Sequence, residues 1–130
     1  MERADDRFFE MIVGILPVHV PKLSPSELVR TIQVLTSRGL GSDRLFNNYL
    51  YLQVERKIYD INGTDYCTLL RSLVDRQFFE DTVFWQDFIW DYLSEDEFGN
   101  SKGNFTNKEA LVIWDTLIAC KAMCPSLPIH

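Results

Sequence analysis

The chain has 130 residues, a one-domain length able to bury a core, and its 46% hydrophobic and 13% aromatic content excludes an intrinsically disordered protein. Nineteen acidic residues against 13 basic ones give a formal charge of −6, with no run of Lys or Arg. That balance disfavours a nucleic-acid backbone or an anionic membrane, whose binding draws on clustered cations. The opening Met1-Glu2-Arg3-Ala4-Asp5-Asp6 has the composition of neither a secretory signal nor a transit peptide, and no apolar run approaches the ~18 residues that span a bilayer. A soluble chain is expected, with any targeting segment internal or already removed.

In chain order, Asp6 to Leu16 reads as a helix ended by Pro17. Ser24-Pro25-Ser26-Glu27 opens a second helix, with Ser24 as N-cap, Pro25 at the first helical position and Glu27 completing a capping box. Leu28, Ile32 and Leu35 form its apolar stripe, and Gly39 follows Arg38 where a helix end favours it. Ser42-Asp43 offers caps for a third helix, running from about Arg44 through Leu45, Phe46, Leu50 and Leu52 toward Ile58 and stopped by Asn62-Gly63. Thr64-Asp65 starts a fourth, with Tyr66, Leu70 and Leu73 on one face. Asp81 is placed to cap a fifth, carrying Phe84, Phe88, Ile89 and Tyr92. Thr106-Asn107-Lys108-Glu109 is a second capping box and opens a sixth, with Ala110, Trp114 and Leu117. No strand is predicted.

These helices repeat. Asp6-Arg7-Phe8-Phe9, Asp43-Arg44-Leu45-Phe46 and Asp81-Thr82-Val83-Phe84 begin successive second helices of a hairpin, 37 and then 38 residues apart. The same offset of 38 pairs Leu28 with Tyr66, Ile32 with Leu70, Leu35 with Leu73 and Arg38 with Arg76. Self-similarity at such a period is the signature of a stacked repeat. The expected fold is therefore all-α, a right-handed stack of helical hairpins forming a short α-solenoid of about six helices. It comprises a half repeat over 5–17, repeats over 24–60 and 64–94, and a half repeat over 106–122. An insertion in the Glu95 to Asn104 loop displaces the last helix, and with it counted Trp114 and Leu117 fall on Leu70 and Leu73, which predicts a core position for Trp114.

The unit L-S-x-x-E-L-x-x-x-I-x-x-L-x-x-x-G followed by D-x-x-L-F-x-x-x-L resembles the helical hairpins of the octotricopeptide and heptatricopeptide repeats and the related repeats of FAST-kinase-like proteins. The resemblance spans nearly the whole chain, and most of its signal is Leu and Phe spacing with a cap. It implies an α-solenoid of mitochondria or plastids, where such proteins bind organellar RNA or serve as structural parts of large assemblies. The RNA-linked RAP module of that family is not recognisable here, and no residue carries over as a base-reading position.

Candidate sites are few. The first helix, with Phe8, Phe9, Ile12, Val13 and Leu16, is apolar enough to need cover on more than one side. The segment from Val83 to Trp90 is apolar and aromatic around its whole circumference, so Trp85 and Trp90 divide between core and interface. Phe8, Phe9, Ile12, Trp85 and Trp90 are the expected partner contacts. Residues 98–109 imitate part of a calcium loop, with Gly103 at position 6 and Glu109 at position 12. Phe98 stands where the first carboxylate belongs, however, and Lys102 occupies position 5, so a polar loop before a capping box is the plainer reading. Ser94-Glu95-Asp96-Glu97 reads as a solvated acidic run or a contact for a basic partner. Cys67, Cys120 and Cys124, odd in number and without C-x-x-C, signal neither a disulfide framework nor zinc, and a reducing compartment is expected. His19 and His130 form no recognisable triad, and Gly39-Leu40-Gly41 lacks the Lys that a phosphate loop requires.

The sequence thus points to a non-catalytic scaffold or accessory subunit, without cofactor or metal, in a large multiprotein complex of the respiratory-chain, ATP synthase or mitoribosome type. Its partners would be other protein subunits, and its location mitochondrial, otherwise cytoplasmic. An organellar RNA-binding repeat protein and a degenerate EF-hand-like module are the alternatives.

Overall fold

The computed structural model describes residues 4–93 and 105–127. Among these the chain is all-helical, with six helices packed on one another. They are α1 (Ala4–His19), α2 (Pro25–Ser37), α3 (43–57), α4 (Gly63–Asp75), α5 (82–93) and α6 (Asn107–Met123). The hairpins α2–α3 and α4–α5 form the stack, in which α2 packs along α4 and α4 along α6.

Helices α2 to α6 start where side chains satisfy free N–H groups of the first turn. Both predicted capping boxes form: Glu27 N–H donates to Ser24 Oγ while Ser24 N–H donates to Glu27 Oε1, and Thr106 and Glu109 do the same. Helix α4 is capped by Asn62, whose Oδ1 accepts from Asp65 N–H. Asp81 caps α5 through Phe84 N–H, as predicted. The recurring Asp cap fails at the other two positions. Ser42 caps α3, leaving Asp43 inside the first turn, and α1 begins at Ala4, upstream of Asp6. Pro17 also does not end α1, which continues to His19 before a 3-10 turn over Val20–Lys22. A proline that close to the end removes one hydrogen bond rather than a run of them. The turn is held by Lys57, whose Nζ donates to Pro21 O at 3.3 Å and to Leu23 O.

The helix ends repeat as closely as the starts. After α2, Gly39 N–H donates to Thr36 O and Leu40 N–H to Leu35 O, with Gly39 in the left-handed region at φ 65°. After α4, Gln77 N–H donates to Val74 O and Phe78 N–H to Leu73 O, with Gln77 at φ 57°. Both are complete Schellman motifs, 38 residues apart. The second places a non-glycine residue in the strained conformation.

The second helices obey a different register. Each contains a π-helical segment, Phe46–Leu50 in α3 and Trp85–Trp90 in α5, between α-helical turns. Their buried residues match at an offset of 39: Leu45 with Phe84, Phe46 with Trp85, and Leu50 with Ile89. The single offset of 38 expected for the whole hairpin therefore holds for the first helices only. One extra residue enters the loop between Gln77 and Asp81. The apolar stripe in these helices steps by five, from Leu45 to Leu50, Phe46 to Tyr51 and Phe84 to Ile89. A π turn, with its i to i+5 bonding, brings that step onto one face.

The core is continuous and aromatic in its second half. Tyr66 of α4 stacks on Tyr92 of α5 with ring centres 5.0 Å apart and donates its hydroxyl to Phe88 O at 3.0 Å. Tyr51 of α3 reaches Phe84 of α5 at 5.9 Å and Phe78 at 4.2 Å. Burial pushes the Tyr51 and Tyr66 phenols well above their ordinary range, so both stay protonated at any physiological pH. The Arg76 guanidinium lies 3.6 Å over the Phe46 ring, and its Nη2 donates to Gly41 O and to Asp43, both at 3.2 Å.

Candidate functional site: the open faces of the outer helices

Helix α6 carries the clearest functional signal. Its inner face is set by the register of α4: Ile113, Thr116 and Leu117 occupy the places of Leu69, Ser72 and Leu73 and are buried with them. Even the hydroxyl bonds repeat, Ser72 Oγ donating to Thr68 O and Thr116 Oγ1 to Val112 O. The same register places Trp114 on Leu70 and Ile118 on Val74. Leu70 is fully buried, but Trp114 is 64% exposed and Ile118 53%. The predicted core position of Trp114 is thus not realised, because nothing among the described residues covers α6 as α5 covers α4. With Leu111 also exposed, the open face repeats at i, i+3 and i+7, the spacing of a helix-packing stripe.

At its start α6 is fixed firmly. Thr64 Oγ1 donates to Glu109 Oε2 at 3.1 Å, the Cys67 thiol reaches Glu109 O at 3.6 Å, and a Cβ on Gly63 would lie 2.5 Å from Glu109 Oε1. The equivalent bond one repeat earlier is Ser26 Oγ to Asp65 Oδ2 at 2.7 Å. A hydroxyl at the start of one first helix thus grips the carboxylate three residues past the cap of the next, twice in succession. Glu109, the twelfth position of the imitated calcium loop, has both carboxylate oxygens in these bonds. The rest of that loop up to Asn104 and the acidic run over 94–97 lie outside the described residues.

The first helix presents the second open face. Phe8, Met11, Ile15 and Val18 are 48–69% exposed and recur at i, i+3, i+7 and i+10, whereas Leu16 is buried and Ile12 and Val13 pack against the core. Of the expected partner contacts, Phe8 is exposed, Ile12 is half-buried and Phe9 lies outside the described side chains. Trp85 is a core residue and not a contact: it is fully buried, and its indole N–H donates to Phe78 O at 2.8 Å. Trp90 is half-buried. Met11, Ile15 and Val18 were missed because an isolated α1 offers no way to separate its covered face from its open one.

Among the described residues no group of three His, Cys, Asp or Glu side chains is disposed to hold a metal ion, and no helix is long and apolar enough to cross a membrane. Burial pushes the Cys120 thiol up to about 11 and raises the Cys67 thiol, with Glu109 adding to the latter, so both are protonated and poorly nucleophilic at neutral pH. All three cysteines are free. Two shallow clefts of about 300 and 490 Å³ run along the outer side of α2, α4 and α6, and share Arg71, Asp75 and Val112.

The arrangement defines a class, a stack of helical hairpins with apolar faces left open on its outer helices. No family model, curated protein or solved structure matches the chain.

Proposed function

We propose that this chain is a non-catalytic helical-repeat subunit that joins other proteins into a larger assembly, with α6 and α1 as its docking faces. The observation that carries this reading is the exposed Leu111, Trp114 and Ile118 stripe, in which Trp114 holds the register position of the fully buried Leu70 one repeat earlier. A partner helix laid along α6 would restore the packing that α5 gives α4, and Trp is a favoured anchor at the centre of such interfaces. The net charge of −6 supports protein over RNA as the occupant. The likeness to octotricopeptide-type hairpins adds a mitochondrial setting to the proposal, within a respiratory-chain, ATP synthase or mitoribosome type of complex.

The test is size fractionation of the cell extract followed by comparison with a Trp114→Glu, Ile118→Glu double variant. Co-migration of the wild-type chain with a stoichiometric set of proteins, lost in the variant while the purified variant keeps its helical circular dichroism, is the expected result. A chain that fractionates as a monomer in the extract, or binds RNA at low salt with a steep salt dependence, would refute it.

A further inference from the structure

The layer formed by α2, α4 and α6 is held by a repeating clasp. Ser26, Thr64 and Lys108 each stand two residues past the cap of their helix, and Glu27, Asp65 and Glu109 stand three past it. Ser26 holds Asp65, and Thr64 holds Glu109. Lys108 is next in the series and is exposed on α6, while Glu27, the first acid of the series, is exposed on α2. These two left-over members carry opposite charge. Glu109 gives Oε1 to its own capping box and Oε2 to Thr64, and Glu27 likewise gives Oε1 to its box.

The rest of the two outer faces matches in the same register. Where α4 meets α6, Arg71 and Val74 stand beside Val112 and Thr116. Where α2 meets α4, Gln33 and Thr36 stand beside Thr68 and Ser72. On the outer side of α6 the places of Arg71 and Val74 are held by Asp115 and Ile118, both exposed. On the outer side of α2 the places of Thr68 and Ser72 are held by Arg30 and Val34, exposed as well. Laying α2 of a second copy against α6, as α6 lies against α4, therefore brings Lys108 to Glu27, Asp115 to Arg30 and Ile118 to Val34. Two opposite charges and one apolar pair coincide in a single register, the kind of complementarity that fixes how two surfaces dock. The first helix stands at the same end of the stack as α2, its 3-10 turn tied to α3 through Lys57. Its exposed Met11, Ile15 and Val18 would then meet Trp114, which holds the place of the buried Leu70.

We infer that the chain stacks head to tail on copies of itself, α6 of one copy lying on α2 and α1 of the next. This rests on α6 being a docking face, as in the functional reading, and names a second copy as what docks there. The contact joins two different surfaces, so it propagates into a ring or a filament rather than ending at a dimer. Sedimentation velocity of the purified chain from about 1 to 300 µM tests it, and the mean mass is expected to rise past that of a dimer. Trp114→Glu with Ile118→Glu removes the tail surface, and Ile15→Glu with Val34→Glu removes the head. Each double variant should stay monomeric alone, and their equimolar mixture should give a dimer that grows no further, because one intact tail meets one intact head. Lys108→Glu places a favourable charge at a helix N-terminus, so it should keep the melting temperature yet weaken association about fivefold. A chain monomeric throughout, a dimer that never grows, a mixture that stays monomeric, or Lys108→Glu associating as tightly as the wild type would overturn the inference. A monomeric purified chain that still co-migrates with other proteins in the extract would overturn it and leave the scaffold standing. Self-association of a chain that brings no other protein with it would support it and remove the scaffold.

Discussion

The two Schellman motifs make opposite predictions at equivalent positions, and together they test the repeat at the level of the backbone. Gly39 and Gln77 both sit in the left-handed region, at φ 65° and 57°. An L side chain there costs about 1–2 kcal/mol, while glycine loses about 0.5–1 kcal/mol of extra chain entropy on folding. Gln77→Gly should therefore stabilise the protein by about 0.5–1 kcal/mol, and Gly39→Ala destabilise it by a similar amount, since a Cβ at Gly39 meets nothing within 4 Å. Gly41→Ala should be worse, about 2–3 kcal/mol, because φ is 88° and the new Cβ would lie 2.8 Å from Phe46 Cε2, a buried ring under Arg76. Urea denaturation gives the free energies, and for a chain of this length each kcal/mol moves the melting temperature by about 4 °C. A destabilising Gln77→Gly, or a Gly41→Ala no worse than Gly39→Ala, would refute the reasoning.

Trp85→Phe leaves the Phe78 carbonyl without its indole donor and a gap in the core, and should cost about 2–3 kcal/mol by urea denaturation; a loss under about 0.5 kcal/mol would deny that the bond anchors the loop. The Glu27 and Glu109 carboxyls are held below the ordinary 4.5, first by the backbone N–H of Ser24 and of Thr106 respectively. Their contribution is thus present above 4.5 and lost as pH falls through the lowered values, so melting temperature should drop between pH 5 and 3, less steeply in a Glu27→Gln, Glu109→Gln variant. An identical slope would exclude the caps as the cause. Glu55 has the opposite sign, its raised pKa favouring the fold at low pH and opposing it as pH rises through that value. Glu55→Gln should melt higher than the wild type at pH 7 and converge with it near pH 3, and a lower melting temperature at pH 7 would show that the acid has a partner.

How much of this was readable in advance differs between the two kinds of helix. Ser24, Glu27, Thr106 and Glu109 announced their helices because capping is local chemistry, and Gly39 announced a C-terminus for the same reason. Helices α3 and α5 were located but misphased. A stripe stepping from Leu45 to Leu50 and from Phe84 to Ile89 drifts around an α-helix of 3.6 residues per turn, so Val83 to Trp90 looked apolar on every side. The π segments restore one face, which places Trp85 inside. Trp114 failed for another reason: register fixes where a residue points, whereas burial depends on whether a neighbour is there to meet it. The paired bonds of Ser26 to Asp65 and Thr64 to Glu109 were implicit in the offsets and invisible without knowing which helices lie side by side.

Those paired hydroxyl–carboxylate bonds also fix how the molecule can bend. Both lie at the N-terminal edge of the layer formed by α2, α4 and α6, so the layer is bound like pages sewn along a spine. Flexing would meet a hydrogen bond across each gap along that edge. A load applied through Trp114 would then be felt across the stack as curvature, with the three helices turning about a common line rather than sliding past one another.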